Sequence, residues 1–255
     1  MTFFQAIFLG IIEGLTEFLP ISSTGHMILA SKFFGISDAD FTKTFEIVVQ
    51  SGAILAVVIL YWRKLFFTRE LWKKVFIAFL PTAVIGFLLY KILKSFLLGN
   101  VALVLWSFLL GGVALLVFEY WYAKKIKEPK ELNYKKSFLV GLAQSLAIIP
   151  GVSRSGATIV AGLVMGMKRE DIVEFSFLLA IPTMIVATGY DLIKSGLSFS
   201  QTEFHILLTG FIVSFLVATL SIIWFLRYIK NHSFVWFGIY RIVIAIIFFG
   251  ILFYR

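Results

Sequence analysis

The sequence predicts an all-α integral membrane protein, with six transmembrane helices plus two re-entrant helical hairpins in an inverted-topology repeat. Three observations lead there. The chain of 255 residues is 60% hydrophobic and only 15% charged, where soluble domains carry about 25% charged residues. Six apolar runs have about the length that a spanning helix needs, roughly 20 residues. Two further apolar stretches, 3–30 and 137–166, are each interrupted by a proline and a Gly/Ser/Thr cluster.

The stretch 3–30 comes first. Pro20 lacks an N–H and its ring clashes with the preceding turn, so the first helix must end there. Ser22, Ser23 and Thr24 then offer side-chain oxygens that can cap a new helix. Spans follow at about 45–62, 75–92 and 101–123. After the basic segment 124–136, the stretch 137–166 repeats the interruption at Pro150, and spans follow at about 174–193, 205–226 and 235–253.

The two interrupted stretches resemble each other. Gly10 to His26 reads GIIEGLTEFLPISSTGH, and Gly141 to Ala157 reads GLAQSLAIIPGVSRSGA. Pro20 matches Pro150 at a shift of 130, and Ser22, Thr24 and Gly25 match Ser153, Ser155 and Gly156 at a shift of 131. Phe45-Glu46 and Phe175-Ser176 continue the correspondence. We therefore read residues 1–255 as a single integral membrane domain with two repeats, 1–123 and 137–255, an organisation that has to be recognised before any local reading.

Basic residues orient the chain. If both interrupted stretches turn back, the inside segments 63–74, 124–136, 167–173 and 227–234 carry 15 Lys/Arg against 6 outside, the asymmetry of the positive-inside rule. If both cross, the split falls to 13 against 8. Re-entry is favoured. Three spans per half then invert the halves, so the hairpin tips meet near the midplane from opposite sides, and irregular backbone at that depth must line a cavity or be buried in protein.

Composition also excludes. There is no Cys, which removes disulfides and thiolate metal sites. The net charge of +9 sits in short loops, so nucleic acid is not a partner. The opening stretch has no basic start or small-residue cleavage site and is expected to stay in place.

Chemistry concentrates at the tips. Glu13 and Glu17 stand at i and i+4 on one face, and carboxylates within an apolar segment point to function; the bland alternative is solvation near the outer surface. Ser22, Ser23 and Thr24 exceed what one N-cap requires, Gly25 frees backbone N–H groups for an anion, and His26 lies beside them. In the second tip, Ser153, Ser155 and Gly156 flank Arg154, whose planar fork suits phosphate; the bland reading of Arg154 is a salt bridge to Glu13 or Glu17. Together these residues suit phosphoryl transfer, and they suit proton-coupled anion transport almost as well. Glu46 either joins the site or meets headgroups, and Gln50 lies one turn on. Arg241 and Glu119 are expected to form a structural pair. Lys124, Lys125, Lys127, Lys130, Lys135 and Lys136 read as an inside loop near anionic lipid, and His205 and His232 as interfacial. No H-E-x-x-H zinc motif is present.

The run from Glu13 to His26 (EGLTEFLPISSTGH), with Pro150 to Gly156 (PGVSRSG), resembles the undecaprenyl-diphosphate phosphatase family, the bacitracin-resistance proteins. The layout is similar from end to end. The resemblance implies hydrolysis of undecaprenyl diphosphate to the monophosphate and inorganic phosphate, recycling the carrier of cell-wall sugars. It implies catalytic Glu13, Glu17, Ser23, His26 and Arg154; Ser22, Thr24, Gly25, Ser153, Ser155 and Gly156 are our candidates for binding phosphate. It also implies a divalent cation, Mg or Ca, for which Glu13 and Glu17 are the candidate ligands. The expected location is the cell (inner or plasma) membrane, multi-pass, with the site opening to the outer face. A polyprenyl diphosphate lipid and the membrane are the partners, and a homodimer is admitted. The roles we assign are Ser23 as nucleophile, His26 as its base, Glu17 orienting His26, and Arg154 stabilising the transition state; in a rival scheme His26 is the nucleophile. The competing class is an inverted-repeat transporter or lipid flippase. A second phosphatase superfamily marked by an Arg-Pro motif is rejected, because no Arg precedes any of the five prolines.

Overall fold

Apolar runs in lipid must satisfy their own backbone N–H and C=O groups, and helices do so within each segment. A computed structural model of the protein describes residues 1–37, 39–92, 100–123, 130–195 and 199–253. Among these, every regular element is helical: α1 (Phe3–Thr16), α2 (Ser23–Phe33), α3 (Asp40–Phe67), α4 (Arg69–Ile92), α5 (Val101–Ala123), α6 (Tyr134–Gln144), α7 (Arg154–Val164), α8 (Arg169–Ser195), α9 (Gln201–Tyr228) and α10 (Val235–Phe253). Lys124, Lys125 and Lys127 of the basic segment lie outside the described residues.

Among the described residues, five helices, α3, α4, α5, α8 and α9, are long and apolar enough to cross a membrane. The sixth expected span, α10, is apolar apart from Arg241, but its stretch Val235–Ile251 falls among the shorter helices of 10–17 residues. Four helices, α3, α4, α8 and α9, overrun the apolar runs that announce them, whereas α5 and α10 match theirs. The run at 45–62 becomes Asp40–Phe67, because polar flanks still complete the backbone ladder.

Both proline interruptions form breaks. α1 stops at Thr16, four residues before Pro20, and α2 restarts on Ser22, whose Oγ accepts from the Gly25 N–H at 3.4 Å. α6 tightens into a 3₁₀ turn over Ser145–Ile148 and ends before Pro150. Gly151 then turns at φ 89°, pressed so close to α5 that a Cβ there would sit 2.8 Å from the Val104 carbonyl oxygen. α7 restarts on Ser153, which caps the Gly156 N–H at 3.1 Å. Each pair folds back on itself: the Lys130 N–H donates to the Gly166 carbonyl at 2.8 Å, and the rings of Phe8 and Phe34 meet at 5.4 Å. The chain thus leaves each hairpin close to where it came in.

Packing brings the two halves together. α1 lies on α9 and α6 on α4; α3 lies on α9 and α8 on α4; α3 meets α8, and α5 meets α10. Exchanging α1–α5 with α6–α10 leaves this set of pairings unchanged. Small residues permit the close approaches, as in membrane helix packing generally. A Cβ on Gly14 would stand 2.7 Å from the Ser214 carbonyl oxygen of α9, and Gly112 and Gly238 face each other across α5 and α10.

One ion pair fastens the end of the bundle away from the tips. Glu119 at the end of α5 receives both arms of Arg169, at 2.8 and 3.2 Å, and the Phe234 N–H at 2.8 Å. Arg169 in turn lies 4.5 Å over the Phe234 ring. The expected pair between Glu119 and Arg241 is therefore corrected: Arg169 reaches Glu119, and Arg241 turns to the tips.

Candidate active site

The two breaks expose backbone that no helix satisfies, and the tips satisfy one another. The Leu19 carbonyl of the first tip accepts from Ser155 Oγ at 2.7 Å and Ser153 Oγ at 3.3 Å of the second. These hydroxyls, expected to bind phosphate, are engaged in holding the tips together. The Gly25 and Gly156 N–H groups are likewise occupied by the capping serines of their own helices.

Charge crosses the same seam. Arg154 donates from Nη2 to Glu17 Oε1 at 3.1 Å and from Nη1 to the Ser176 carbonyl at 2.8 Å. Its Nε has no partner, so one donor of the fork remains uncommitted. The other oxygen of Glu17 accepts a short hydrogen bond from Ser23 Oγ. Hydroxyl, carboxylate and guanidinium thus form one continuous chain, and Ser23, Glu17 and Arg154 are 5%, 5% and 8% exposed. An ion pair so far from water gains from low dielectric only while each member keeps its partners.

Glu13, one turn before Glu17, is fully buried, and neither of its carboxylate oxygens has a hydrogen-bond partner. The charges it faces are Glu17, Glu46 and Arg154. Glu46 accepts from Ser31 Oγ at 2.5 Å and is half-buried. Of its two expected settings, it takes the one beside the site.

His26 is held differently from the expectation. Its Nδ1 lies 2.7 Å from the Ser22 carbonyl, which can only accept, so Nδ1 carries the proton. Nε2 is then the acceptor, and it faces the Tyr240 hydroxyl of α10 at 2.9 Å, with the two rings stacked. Glu17, expected to orient His26, instead contacts Ser23 and Arg154. Ser22 pays for this geometry with φ 71°, the single positive φ among described non-glycine residues, and strain of this kind gathers at functional sites. Thr24 sits half-buried in the first turn of α2.

Arg241, adjacent to Tyr240, is 2% exposed; among the described residues its hydrogen bonds all go to carbonyls, Pro20 at 3.3 Å, Gly151 at 2.9 Å, Ser107 at 2.7 Å and Phe108 at 3.4 Å, and it lies 5.5 Å over the Phe108 ring. Sequence reasoning missed Tyr240 and the destination of Arg241. A charged residue inside an apolar span was the available signal for Arg241. Tyr240, an aromatic residue in an apolar helix, carried none.

Fold and site together define a polytopic helical membrane protein built around a buried hydroxyl, carboxylate and guanidinium centre. The chain belongs to the bacitracin resistance protein BacA family, whose model matches residues 6–247. It is 51% identical to the undecaprenyl-diphosphatase of Aquifex aeolicus (strain VF5), covering 97% of this chain and 98% of that one. It is 49% identical to the undecaprenyl-diphosphatase of Sulfurihydrogenibium sp. (strain YO3AOP1), covering 98% and 99%. The protein of the same name from Persephonella marina (strain DSM 14350 / EX-H1) is 47% identical over 97% and 98%.

Proposed function

We propose that this protein hydrolyses undecaprenyl diphosphate to undecaprenyl phosphate and inorganic phosphate. The observation that carries the reading is the contact of Ser23 Oγ with Glu17, itself paired to Arg154. A transporter needs charged tips but no hydroxyl set against a carboxylate.

In the first step Ser23 Oγ attacks the terminal phosphorus and its proton passes to Glu17. The bond from that phosphorus to the bridging oxygen breaks, and undecaprenyl phosphate leaves. Water then attacks phosphoserine 23 and releases phosphate, regenerating the hydroxyl. Arg154 offers its free Nε–H and its charge to the equatorial oxygens, where phosphoryl transfer gains most from fixed positive groups. His26 Nε2 takes the proton of the water step through the Tyr240 hydroxyl that it faces.

A divalent cation, Mg or Ca, fits Glu13, whose two buried oxygens have no hydrogen-bond partner and are open to a positive group. Among described residues, no group of three or more His, Cys, Asp or Glu gathers as a ligand set. Glu13 would thus hold the ion, with oxygens from substrate or water completing its shell, while both oxygens of Glu17 stay with Arg154 and Ser23. The ion would supply charge neutralisation on the phosphates.

The surrounding architecture is read in the same way. The hairpins α1–α2 and α6–α7 re-enter from opposite sides, α10 completes six crossings, and residues 1–123 and 137–255 are inverted repeats. The exchange symmetry of the helix pairings and the closed bases of both hairpins support this reading. The protein then sits in the cell membrane with its site toward the outer face.

Phosphate release from undecaprenyl diphosphate by purified protein in detergent tests the function. Release is expected, with chelator suppressing it. Ser23→Ala is expected to lose about 10⁴-fold in kcat. No release by the wild type, or full activity in Ser23→Ala, overturns the reading or the nucleophile respectively.

A further inference from the structure

Resting on that reading, we propose that Arg241 is a positioning residue that fixes the distance between the two hairpin tips. The tips carry different parts of the chemistry, Ser23 and Glu17 on one and Arg154 on the other. Their relative placement is therefore a catalytic variable, yet no covalent link or continuous helix sets it. Arg241 reaches both: Nη1 donates to Pro20 of the first tip and Nη2 to Gly151 of the second. It is anchored from behind, with Nη2 also donating to Ser107 and Nε to Phe108, both on α5.

The geometry requires a guanidinium. Three nitrogens of a rigid plane serve four carbonyls from three separate segments. A lysine ammonium donates from one point and cannot span them. The sequence makes room for the plane at Gly111, where a Cβ would collide with the Arg241 guanidinium. All four partners are backbone groups, so Arg241 neutralises no carboxylate. Its charge remains available to the site, and it acts on His26 electrostatically. An anionic substrate entering beside it meets a second buried cation besides Arg154.

This role differs from simple stabilisation. Tips displaced by about 1 Å would still fold and still bind lipid, but would misalign hydroxyl, phosphorus and guanidinium, a loss of the order of 100-fold in rate. The experiment is phosphate release from undecaprenyl diphosphate by wild type, Arg241→Lys and Gly111→Ala, each purified in detergent and checked for monodispersity and melting. Arg241→Lys keeps the charge and loses the fork. Gly111→Ala keeps Arg241 and pushes its guanidinium off the carbonyls.

We expect kcat to fall about 100-fold in Arg241→Lys with KM near wild type, and to fall in Gly111→Ala in the same pattern. A structural role alone would lower melting and the yield of active protein while leaving kcat per folded molecule intact, and that result overturns the proposal. So does wild-type kcat in both variants. If Arg241→Lys does not fold, Gly111→Ala decides by the same split. An inactive wild type removes the hydrolase reading and this inference together, whereas an active wild type with active variants removes only this inference.

Discussion

A carboxylate with no partner in a buried site is the most demanding single residue of the structure. Glu13 is fully buried and neither oxygen has a hydrogen-bond partner, and a carboxylate buried in this way costs several kcal/mol unless it keeps its proton or a positive group arrives. A cation that binds only the folded protein raises stability by mass action, about 2.7 kcal/mol at one hundred times its Kd. Thermal melting of the wild type is therefore expected to rise with added Mg²⁺ or Ca²⁺, and Glu13→Gln is expected to remove that rise. An equal rise in both would place the cation elsewhere. At this scale the motifs carried the reading far, because Glu13, Glu17, Ser23, His26 and Arg154 are polar in a setting where polarity is costly. The partners of those residues were less legible. His26 meets Tyr240 from 214 positions away, and the acceptors of Arg241 are main-chain carbonyls, which no side-chain pattern announces.

Elements were legible where a chain-breaking residue or a long apolar run marks them. Pro20 and Pro150 fall at the two breaks, and each expected span lies within a helix. The ends were less legible, since polar flanking turns of a helix carry no hydropathy signal. Contacts between elements were harder again. Glu119 and Arg241 occupy matching spans, which suggested a pair. In the structure Arg169, at the start of α8, closes on Glu119, while Arg241 faces the tips. The clasp joins α5, α8 and the turn before α10, so its loss acts on how elements are held and leaves the tips intact. The side chains of Arg169 and Glu119 are 16% and 5% exposed, and removing one member of a buried pair strands the other. Glu119→Ala is expected to lose about 3 kcal/mol of stability, read as a lower melting temperature, with kcat per folded molecule unchanged. Unchanged melting would mean that the clasp contributes nothing measurable.

At the scale of the whole molecule, the proposed inverted repeat makes a prediction about sidedness that follows from chain reversal alone. A hairpin that re-enters leaves its two ends on one face, and a broken helix that crosses leaves them on opposite faces. The hydrogen bond from Lys130 to Gly166 already sets the ends of the second hairpin side by side. The chain contains no Cys, so a single introduced thiol reports without background. Glu131→Cys and Lys168→Cys bracket the second hairpin at exposed positions; Asn231→Cys is a third exposed position that the proposed topology puts inside, and Lys43→Cys and Gln201→Cys are exposed positions that it puts outside. In intact cells, a membrane-impermeant maleimide is expected to label positions 43 and 201 and spare 131, 168 and 231, which should react only after the membrane is opened. Positions 131 and 168 carry the decision, because every arrangement in which the second hairpin crosses separates them. Labelling of one and protection of the other would show that the second half traverses the bilayer at Pro150. The tips could then no longer approach from opposite leaflets, and the inverted repeat would fall even if the enzyme were fully active.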